Sequence, residues 1–460
     1  MRVRLHAHLV PCALLAACAV TSGCAAETDE ENEPVGVSEQ AATSPAASTF
    51  PSTYARQWMT NLANSVKWDG IHPVVAARTY TYGSIAVYES LVNGMPGYRS
   101  LGGQLNGLGA LPTPDPGKVY DWPTVLAQTM HRVAMETYVF PLRLFFEFTT
   151  STEATLDELG PTQIAYRKME VGQQVSDDSI AYANALANAL VPWINSDGYK
   201  EARFKGWIPP VGPDKWVPTG FSDTDKVANP EEPGFGTVRP IIMTRGDECR
   251  PANGPPAYST ETNSAFFQAA KQVFDADTNS TDEQREIARF WADGPKDTAT
   301  PAGHWLALTT KMVRAQTLDK AAYGYAQASL THLDAAIATW NEKFRSNLLR
   351  PETYIRRTMD PTWRPFLPSP KFPSYTSGHS GFSGAAAEMM IAAFGDQAFT
   401  DDTKLRRGFG PRSFTGWRAA ASEAADSRLY GGIHYPFDNA DGLTVGRCVA
   451  TKALSRVRFR

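Results

Sequence analysis

Apolar residues recur three and four positions apart along most of the chain beyond about residue 53, which is the spacing that buries one face of an α-helix. The clearest runs are YARQWMTNLANSVKW, HPVVAARTYTYGSIAVYESLVNG, WPTVLAQTMHRVAMETYVF and IAYRKMEVGQQVSDDSIAYANALANALVPWI, and the pattern returns in HWLALTTKMVRAQTL and KAAYGYAQASLTHLDAAIATWNEKF. Strand-like alternation is rare. The pattern predicts an all-α fold, with residues 53–460 as a single large helical domain.

The helical pattern stops between Ser196 and Pro256, where proline and glycine are frequent. Loops of this length in a compact domain are often functional, so this stretch is predicted to run over the surface as the lid or rim of a site. Helices resume beyond it, and Ser280 with Glu283 has the spacing of a capping box at a helix start.

The first 24 residues differ from the rest of the chain, because a basic start (MRVRLHAH) and a short apolar run (LVPCALLAACAV) precede small residues. This order is typical of an export signal, and the apolar run is too short for a membrane-spanning helix. Three endings stay open. Cys24 resembles the lipid-accepting cysteine of a bacterial lipoprotein signal, and Leu15-Ala16-Ala17-Cys18 is a second candidate with a shorter apolar run before it. A cleavage site after Ala26 fits the sequence equally well. Residues 25–52 are predicted to be a disordered acidic tether. The expected location is therefore outside the cytoplasm, as a periplasmic or outer-surface lipoprotein or a secreted protein.

The net charge and the cysteine positions limit which partners and metal sites can be expected. The formal net charge is −4 and no long basic stripe is present, so a nucleic-acid partner is not expected. Beyond the signal, Cys249 and Cys448 remain, and the sequence leaves open whether they pair. No cysteine and histidine spacing is typical of zinc or an iron–sulfur cluster.

The stretch FPSYTSGHSGFSGAAAEMM places Ser377, Gly378 and His379 where an Ala-rich helix is predicted to begin. Small residues leave the backbone N–H groups accessible, and the first turn of a helix has no internal acceptors for them. Together with the helix dipole, this makes the position suited to binding an oxyanion.

A second motif, WNEKFRSNLLRPETYIR, places Lys343 and Arg350 seven residues apart. If both lay on one helix, their side chains would be almost two turns apart on the same face. Taken alone, this spacing is more typical of a solvated helix face than of a site.

A third motif, SEAADSRLYGGIHYPFDNADG, contains Arg428 before a predicted helix end at Tyr430, then His434, then Asp438. The two glycines after Tyr430 supply a left-handed exit from the helix. Either Asp438 or a backbone carbonyl could hold His434 with one ring nitrogen free. Asp438 could also cap the helix that follows, or do both.

Taken in order, the three motifs closely resemble the acid phosphatase signature shared by the type 2 phosphatidic acid phosphatases and the vanadium-dependent haloperoxidases. The matching positions are Lys343-x6-Arg350-Pro351, Ser377-Gly378-His379 and Ser427-Arg428-x5-His434-x3-Asp438. One departure is Thr376, where the phosphatase form usually has proline.

Flanking residues make the chain similar to the haloperoxidase branch. Trp340 lies three residues before Lys343, and Phe372-Pro373-x-Tyr375 precedes the Ser-Gly-His motif. The phosphatases of this superfamily are commonly half this size or carry membrane helices, and this chain has neither property. The resemblance implies a helical-bundle, haloperoxidase-like fold with long loops, and a site within about residues 330–446.

The resemblance also implies a vanadate cofactor, with hydrogen peroxide and halide as reaction partners. His434 would bond vanadium, and the groups implied to bind the vanadate oxygens belong to Lys343, Arg350, Ser377, Gly378 and Arg428. The implied catalytic residues are His379, which accepts a proton from peroxide; Lys343, which polarises the oxidant; His434; and Asp438.

Two alternatives remain open from the residues. The same pocket suits a phosphomonoester, with His434 forming a phosphohistidine and His379 donating a proton to the leaving alcohol. The second alternative is an exported lipoprotein that binds an oxyanion without turnover. Histidines inside helical patterns are expected to be packing residues; they are His72, His131, His304 and His332.

Overall fold

The computed structural model describes residues 43–142, 150–219 and 230–460. These residues are predominantly α-helical, which confirms the predicted fold class. The sheet that they contain is one antiparallel pair of short strands, β1 (Phe399–Asp401) and β2 (Arg412–Phe414).

Most helices coincide with the apolar runs of the sequence. In chain order they are α1 (Thr53–Asp69), α2 (Pro73–Leu91), α3 (Trp122–Val133), α4 (Phe140–Leu142), α5 (Thr150–Val171), α6 (Gln173–Asn195), α7 (Tyr199–Phe204), α8 (Ala265–Thr278), α9 (Asp282–Phe290), α10 (Thr300–Met312), α11 (Leu318–Ser329), α12 (His332–Ser346), α13 (Pro351–Thr358), α14 (Gly378–Phe394), α15 (Trp417–Tyr430) and α16 (Pro436–Arg456). Among the described helices, none combines the length and apolarity needed to cross a membrane.

Helix α2 lies at the centre of the bundle. Its sequence has no polar stripe, and almost every one of its residues is buried, as expected for a helix surrounded by others. It packs against α3, α10, α11 and α12. Its buried cation, Arg78, is neutralised by Asp197 at 2.6 Å.

Helices α14 and α16 cross so closely that the crossing requires glycine. A Cβ on Gly446 would lie 2.2 Å from the carbonyl oxygen of Gly381, and one on Gly442 would lie 2.7 Å from that of Ser377. Only a residue without a side chain allows this approach of the two backbones. The crossing brings the start of α14 against the start of α16, where the Ser377 amide donates to the carbonyl of Asp438 at 3.0 Å.

Helix α9 begins one residue later than the capping box predicted for it. Thr281 is the N-cap, and its side chain and that of Gln284 each accept a hydrogen bond from the other residue's backbone. The Ser280 hydroxyl donates instead to the carbonyl of Ala276 in the preceding helix. The prediction of Ser280 and Glu283 was therefore wrong, because two overlapping capping patterns occur and the earlier serine is still engaged by α8.

The predicted tether is shorter than expected. Ala47 and Ser52 are buried, and the Leu318 amide donates to the carbonyl of Phe50 at 2.8 Å. The prediction of disorder was wrong for residues 43–52, since this segment hydrogen-bonds to the start of α11 and packs its alanine into the core. The predicted export signal and the rest of the tether, residues 1–42, lie outside the described residues.

The region rich in proline and glycine contains α7, a short 3-10 helix (Phe235–Thr237) and irregular chain. Cys249 within this region forms a disulfide with Cys448 on α16. The pairing that the sequence left open is therefore made, and it ties this region to the helix that follows the third motif.

Candidate functional site

Lys343 and Arg350 come from two elements, not from one helix face as their spacing suggested. Helix α12 ends at Ser346, where Asn347 adopts a left-handed conformation (φ 49°). Arg350 is then the N-cap of α13, directly before Pro351. The single-helix prediction was wrong because the αL residue turns the chain between the two cations.

Lys343 is buried in the last turn of α12. Its ammonium group donates to the carbonyl oxygens of Pro373 and Ser374 at 3.0 and 2.8 Å. Burial lowers the pKa of Lys343 well below its ordinary value, the positive charge of Arg350 lowers it further, and Asp438 opposes both effects. The side chain is held by neutral carbonyls, so its charge is free to act on an anion.

Arg350 is fully buried and connects two of the motifs. Its Nε donates to the carbonyl of Phe372 at 2.8 Å, and Nη1 donates to the carbonyl of Ile433 at 3.0 Å. Nη1 also lies 3.1 Å from Nε2 of His434. Nη2 is buried and finds no hydrogen-bond partner among the described residues, so one charged donor remains for a ligand.

Helix α14 begins at the second motif, as predicted. Ser377 is the N-cap and accepts hydrogen bonds from the amide and hydroxyl of Ser380 at 3.4 and 3.0 Å. Gly378 and His379 are the first two helical residues, whose amides have no acceptor within the helix. The N-terminal turn therefore presents donors and the positive end of the helix dipole.

The His379 ring is partly exposed, and a hydrogen bond to the backbone carbonyl of Trp291 holds it. Its Nε2 accepts no hydrogen bond from residues 43–142, 150–219 or 230–460. Burial and the charge of Arg428 lower the pKa of His379 well below its ordinary value, and the carboxylate of Asp293 opposes them. The ring is thus neutral near pH 7, with a nitrogen available for proton transfer.

Arg428 lies near the end of α15 and is buried. Its Nε donates to the Ser427 hydroxyl at 2.9 Å and Nη2 donates to the carbonyl of Ala288 at 3.1 Å. The chain leaves the helix through two glycines, of which Gly432 takes the left-handed conformation (φ 74°).

Asp438 both orients His434 and caps α16, so the two roles weighed from sequence are combined. His434 Nδ1 donates to the Asp438 carboxylate at 2.8 Å, and the amide of Tyr435 donates to the same oxygen at 3.2 Å. The Ser374 hydroxyl donates there as well, at 2.5 Å. With Nδ1 carrying the proton, Nε2 of His434 keeps its lone pair.

One cavity of about 520 Å³ is lined by residues of all three motifs: Trp340, Gly378, His379, Arg428 and His434. Lys343, Arg350 and Ser377 are fully buried and do not themselves line the cavity. Burial lowers the pKa of His434 well below its ordinary value, and the charges of Arg350, Lys343 and Arg428 lower it further. Three cations from separate elements therefore act on the same imidazole.

The hydrogen bonds of these three cations go to uncharged groups. Among the described residues, no ion pair reaches Lys343, Arg350 or Arg428; their hydrogen-bond acceptors are carbonyls, a hydroxyl and an imidazole nitrogen. Burial lowers the pKa of Arg350 to about 9 and that of Arg428 to about 10. Buried charge of one sign without a partner is costly, and a bound anion would offset that cost.

Three acidic residues on the cavity wall were not found from the sequence. Asp293 and Asp297 lie in the loop between α9 and α10, and Glu231 lies within the proline- and glycine-rich region. None of them belongs to a motif or has a fixed spacing from one, so no sequence signal distinguished them from other loop carboxylates. Glu231 forms an ion pair with His72 at 2.8 Å, and it shows that the long loop region borders the site.

Comparison with known proteins agrees with this geometry. The family model of the VCPO second helical-bundle domain matches residues 324–459, which contain all three motifs. The structure of the first bacterial vanadium-dependent iodoperoxidase superposes with a TM-score of 0.79 at 32% sequence identity, and the match covers 89% of this chain and 97% of that one. No curated protein sequence matches the chain.

Two further structures share the fold at low identity. They are the holo and apo forms of a bacterial vanadium-dependent chloroperoxidase, with TM-scores of 0.64 and 0.60 and identities of 14% and 15%. They cover 86% and 85% of this chain and 94% of each of theirs. The match to the iodoperoxidase decides the family, because 32% of the residues are identical over 89% of this chain and 97% of the other. The chain belongs to the vanadium-dependent haloperoxidases.

Proposed function

We propose that the protein is a vanadate-dependent haloperoxidase, which oxidises halide with hydrogen peroxide to hypohalous acid. The observation that carries the proposal is the set of three buried cations around a neutral histidine, none of which forms an ion pair within the part of the chain that the structure describes. Such a site is complementary to a compact oxyanion of two or three charges. Family membership then selects vanadate among the oxyanions.

The residues fit vanadate on two counts. Arg350 Nη2 is a buried donor without an acceptor, and an oxyanion oxygen would supply one. His434 Nε2 keeps a lone pair while Asp438 holds its other nitrogen, which is the arrangement that orients histidine ligands of metals. The cavity thus offers both oxygen-binding donors and a ligand atom.

We assign the oxygen-binding groups to five residues and the vanadium ligand to His434. The five residues are Lys343, Arg350, Ser377, Gly378 and Arg428. Arg350 and Arg428 suit paired hydrogen bonds through their planar guanidinium groups, and Lys343 acts as a point charge. Bound vanadate would supply a Lewis acid that withdraws electrons from the oxidant.

We assign proton transfer to His379. Its Nε2 is unpartnered and its neutral form is favoured, so it can accept a proton from hydrogen peroxide at neutral pH. Lys343 would polarise the oxidant through its charge. Asp438 would keep the His434 lone pair directed away from its own carboxylate.

Purified protein supplied with orthovanadate, hydrogen peroxide and bromide or iodide is expected to halogenate a phenol dye, and the protein without vanadate is not. Each halide is tested separately, since the similar structures are an iodoperoxidase and a chloroperoxidase. Rapid hydrolysis of p-nitrophenyl phosphate without halide oxidation would replace the proposal with the phosphatase alternative. Tight oxyanion binding with neither activity would replace it with the binding protein.

We also propose that the protein is exported. The proposal rests on the N-terminal sequence and is supported by the Cys249–Cys448 disulfide, because such bonds persist in oxidising compartments. The mass of the mature N-terminus distinguishes lipidation at Cys24 from simple cleavage. An N-terminus that still begins at Met1 in exported fractions would contradict the signal.

A further inference from the structure

A second cluster of buried charges lies beside the oxyanion cavity, and none of the roles assigned above uses it. It consists of Asp293, His304, Asp401 and Lys404, which come from the α9–α10 loop, α10, β1 and the loop after β1. All four are nearly inaccessible to solvent. Below they are called the charge quartet.

His304 is the centre of the charge quartet. Its Nδ1 lies 3.0 Å from a carboxylate oxygen of Asp293, and its Nε2 lies 2.7 Å from a carboxylate oxygen of Asp401. An ionised carboxylate only accepts hydrogen bonds, so both ring nitrogens must donate and the ring must be an imidazolium. Lys404 donates to the second oxygen of Asp293.

The formal charges of the charge quartet cancel, which explains how four ionised groups are buried together. Burial and Lys404 disfavour charge on His304, but the two carboxylates outweigh them and raise its pKa. Burial also opposes ionisation of Asp293, yet Lys404 and His304 lower its pKa. The Asp401 pKa is lowered in the same way by His304.

The charge quartet stands between two cavities. Asp293 lines the oxyanion cavity together with His379 and Arg428, and it also lines a second cavity of about 310 Å³. His304 and Lys404 line only the second cavity. Asp293 is therefore the member through which the charge quartet faces the site.

We infer that His304, anchored by Asp401, is a positioning residue that fixes Asp293 as an ionised carboxylate facing His379 and Arg428. The two hydrogen bonds of Asp293, to His304 and to Lys404, leave its charge constant and its orientation fixed. That charge favours protonation of His379, as does the hydrogen bond to the Trp291 carbonyl, whereas burial, Arg428 and Lys404 oppose it. His304 thus sets, through Asp293, how readily His379 accepts a proton.

The predicted effect on turnover rests on the proposed function, but the predicted protonation of His304 does not. The first test therefore measures that protonation in the protein without vanadate. Histidine-selective ¹⁵N labelling, assigned with His304→Gln, reports the protonation of His304. We expect both ring nitrogens to carry protons over a pH range that extends above about 6.5, where an ordinary histidine loses one of them. Asp401→Asn is expected to lower the pH at which His304 loses one of them.

The second test is the pH dependence of halide oxidation. A general base must be neutral, so activity falls on the acid side as His379 becomes protonated. Asp401→Asn loosens the anchor of His304 and thereby that of Asp293, which weakens the stabilisation of protonated His379 by the Asp293 carboxylate and lowers the pKa of His379. The acid limb is therefore expected to move to lower pH by roughly half a unit.

A double-mutant cycle separates positioning from a general charge effect. In the Asp293→Asn background, Asp401→Asn is expected to produce no further displacement of the acid limb. His304→Gln serves as the second variant where Asp401→Asn does not fold, and its effect is likewise expected to vanish in that background. The matched control is Asp157→Asn, which removes a carboxylate 2.9 Å from the surface histidine His131 and is expected to move nothing.

Two results would overturn the inference: a neutral His304 ring across that pH range in the wild-type protein, or an acid limb that moves equally with and without Asp293. Absence of halide oxidation in the wild-type protein would refute the proposed function. In that case the ¹⁵N signals of an imidazolium His304 would still support the charge quartet, and a neutral ring would still refute it.

Discussion

Two buried histidines of this protein each contact a carboxylate, yet their surroundings give them opposite charges. His434 bonds to Asp438 at 2.8 Å within a group of cations. His304 lies between Asp293 and Asp401 at 3.0 and 2.7 Å. Both rings are almost completely buried, so burial does not separate them.

The partner of the second ring nitrogen makes the difference. Nε2 of His434 faces Arg350 at 3.1 Å, and since arginine only donates, that nitrogen must keep its lone pair. Nε2 of His304 faces a second carboxylate and must carry a proton. The pKa of His434 is accordingly lowered and that of His304 raised. A neutral ring can bind a metal or react, whereas a charged ring between anions can only hold them in place.

The largest effect on vanadate binding and on halide oxidation is expected when the imidazole ring of His434 is removed. His434→Ala is expected to reduce vanadate affinity by more than about 100-fold and to abolish halide oxidation, because the assigned vanadium ligand is lost. Titration calorimetry with orthovanadate measures the affinity. His131→Ala, which removes a surface histidine from its ion pair with Asp157, is the control and should bind normally. Normal vanadate affinity of His434→Ala would reject the ligand assignment.

His379→Ala is expected to lower the rate of halide oxidation by about 10²- to 10⁴-fold, the usual contribution of a general base. Vanadate affinity should remain within a few-fold of that of the wild type, because His379 is assigned to proton transfer. Steady-state rates and calorimetry on the same preparation separate the two effects. A parallel loss of rate and affinity would place His379 among the oxyanion-binding residues instead.

Asp438→Asn is expected to have a smaller effect, about 10- to 100-fold on vanadate affinity or rate. The amide keeps the shape of the side chain, but it can turn its NH₂ group toward His434 Nδ1 and reverse the tautomer. Asp441→Asn is the matched control on the same helix, where the carboxylate accepts from Tyr375 at 2.7 Å. If both variants behave alike, the His434–Asp438 bond does not orient the ligand.

The two histidines also mark what the sequence could predict. His434 and Asp438 are four residues apart, and the local break between α15 and α16 fixes their relation, so a motif could find them. His304 is 11 and 97 residues from its two partners. No periodicity links these positions, and the sequence prediction treated His304 as a packing residue.

The same distinction applies to the fold. Helices with a clear apolar period, such as α1, were predicted close to their bounds. The break between α12 and α13 was missed, because it depends on one asparagine in the left-handed conformation. The ordered segment at residues 43–52 was missed because its contacts with α11 are distant in sequence. Local patterns therefore predicted the helices. Features that depend on contacts between residues distant in sequence, such as the position of Asp293 on the cavity wall, were not predicted.

The smallest predicted effect is on stability. It tests directly whether His304 is charged while His434 is neutral. The pKa of His304 is raised in the folded protein above its unfolded value of about 6.5. Its proton therefore contributes stability that is fully present below the unfolded pKa and is lost as the pH rises through the folded pKa. Asp293 and Asp401, with lowered pKa values, stay ionised above about pH 5 and do not mask this trend.

The free energy of unfolding of the vanadate-free wild type should thus exceed that of His304→Gln by more at about pH 5, below the unfolded pKa, than at alkaline pH, and the difference should narrow as the pH rises. Urea unfolding at several pH values measures the difference. His131→Gln is the control, because an exposed ion pair contributes little to stability at any pH. A difference between wild type and His304→Gln that stays constant with pH would mean that folding does not raise the pKa of His304, and a difference that grows with pH would mean that the ring is neutral in the folded protein. Either result would contradict the contrast between the two histidines.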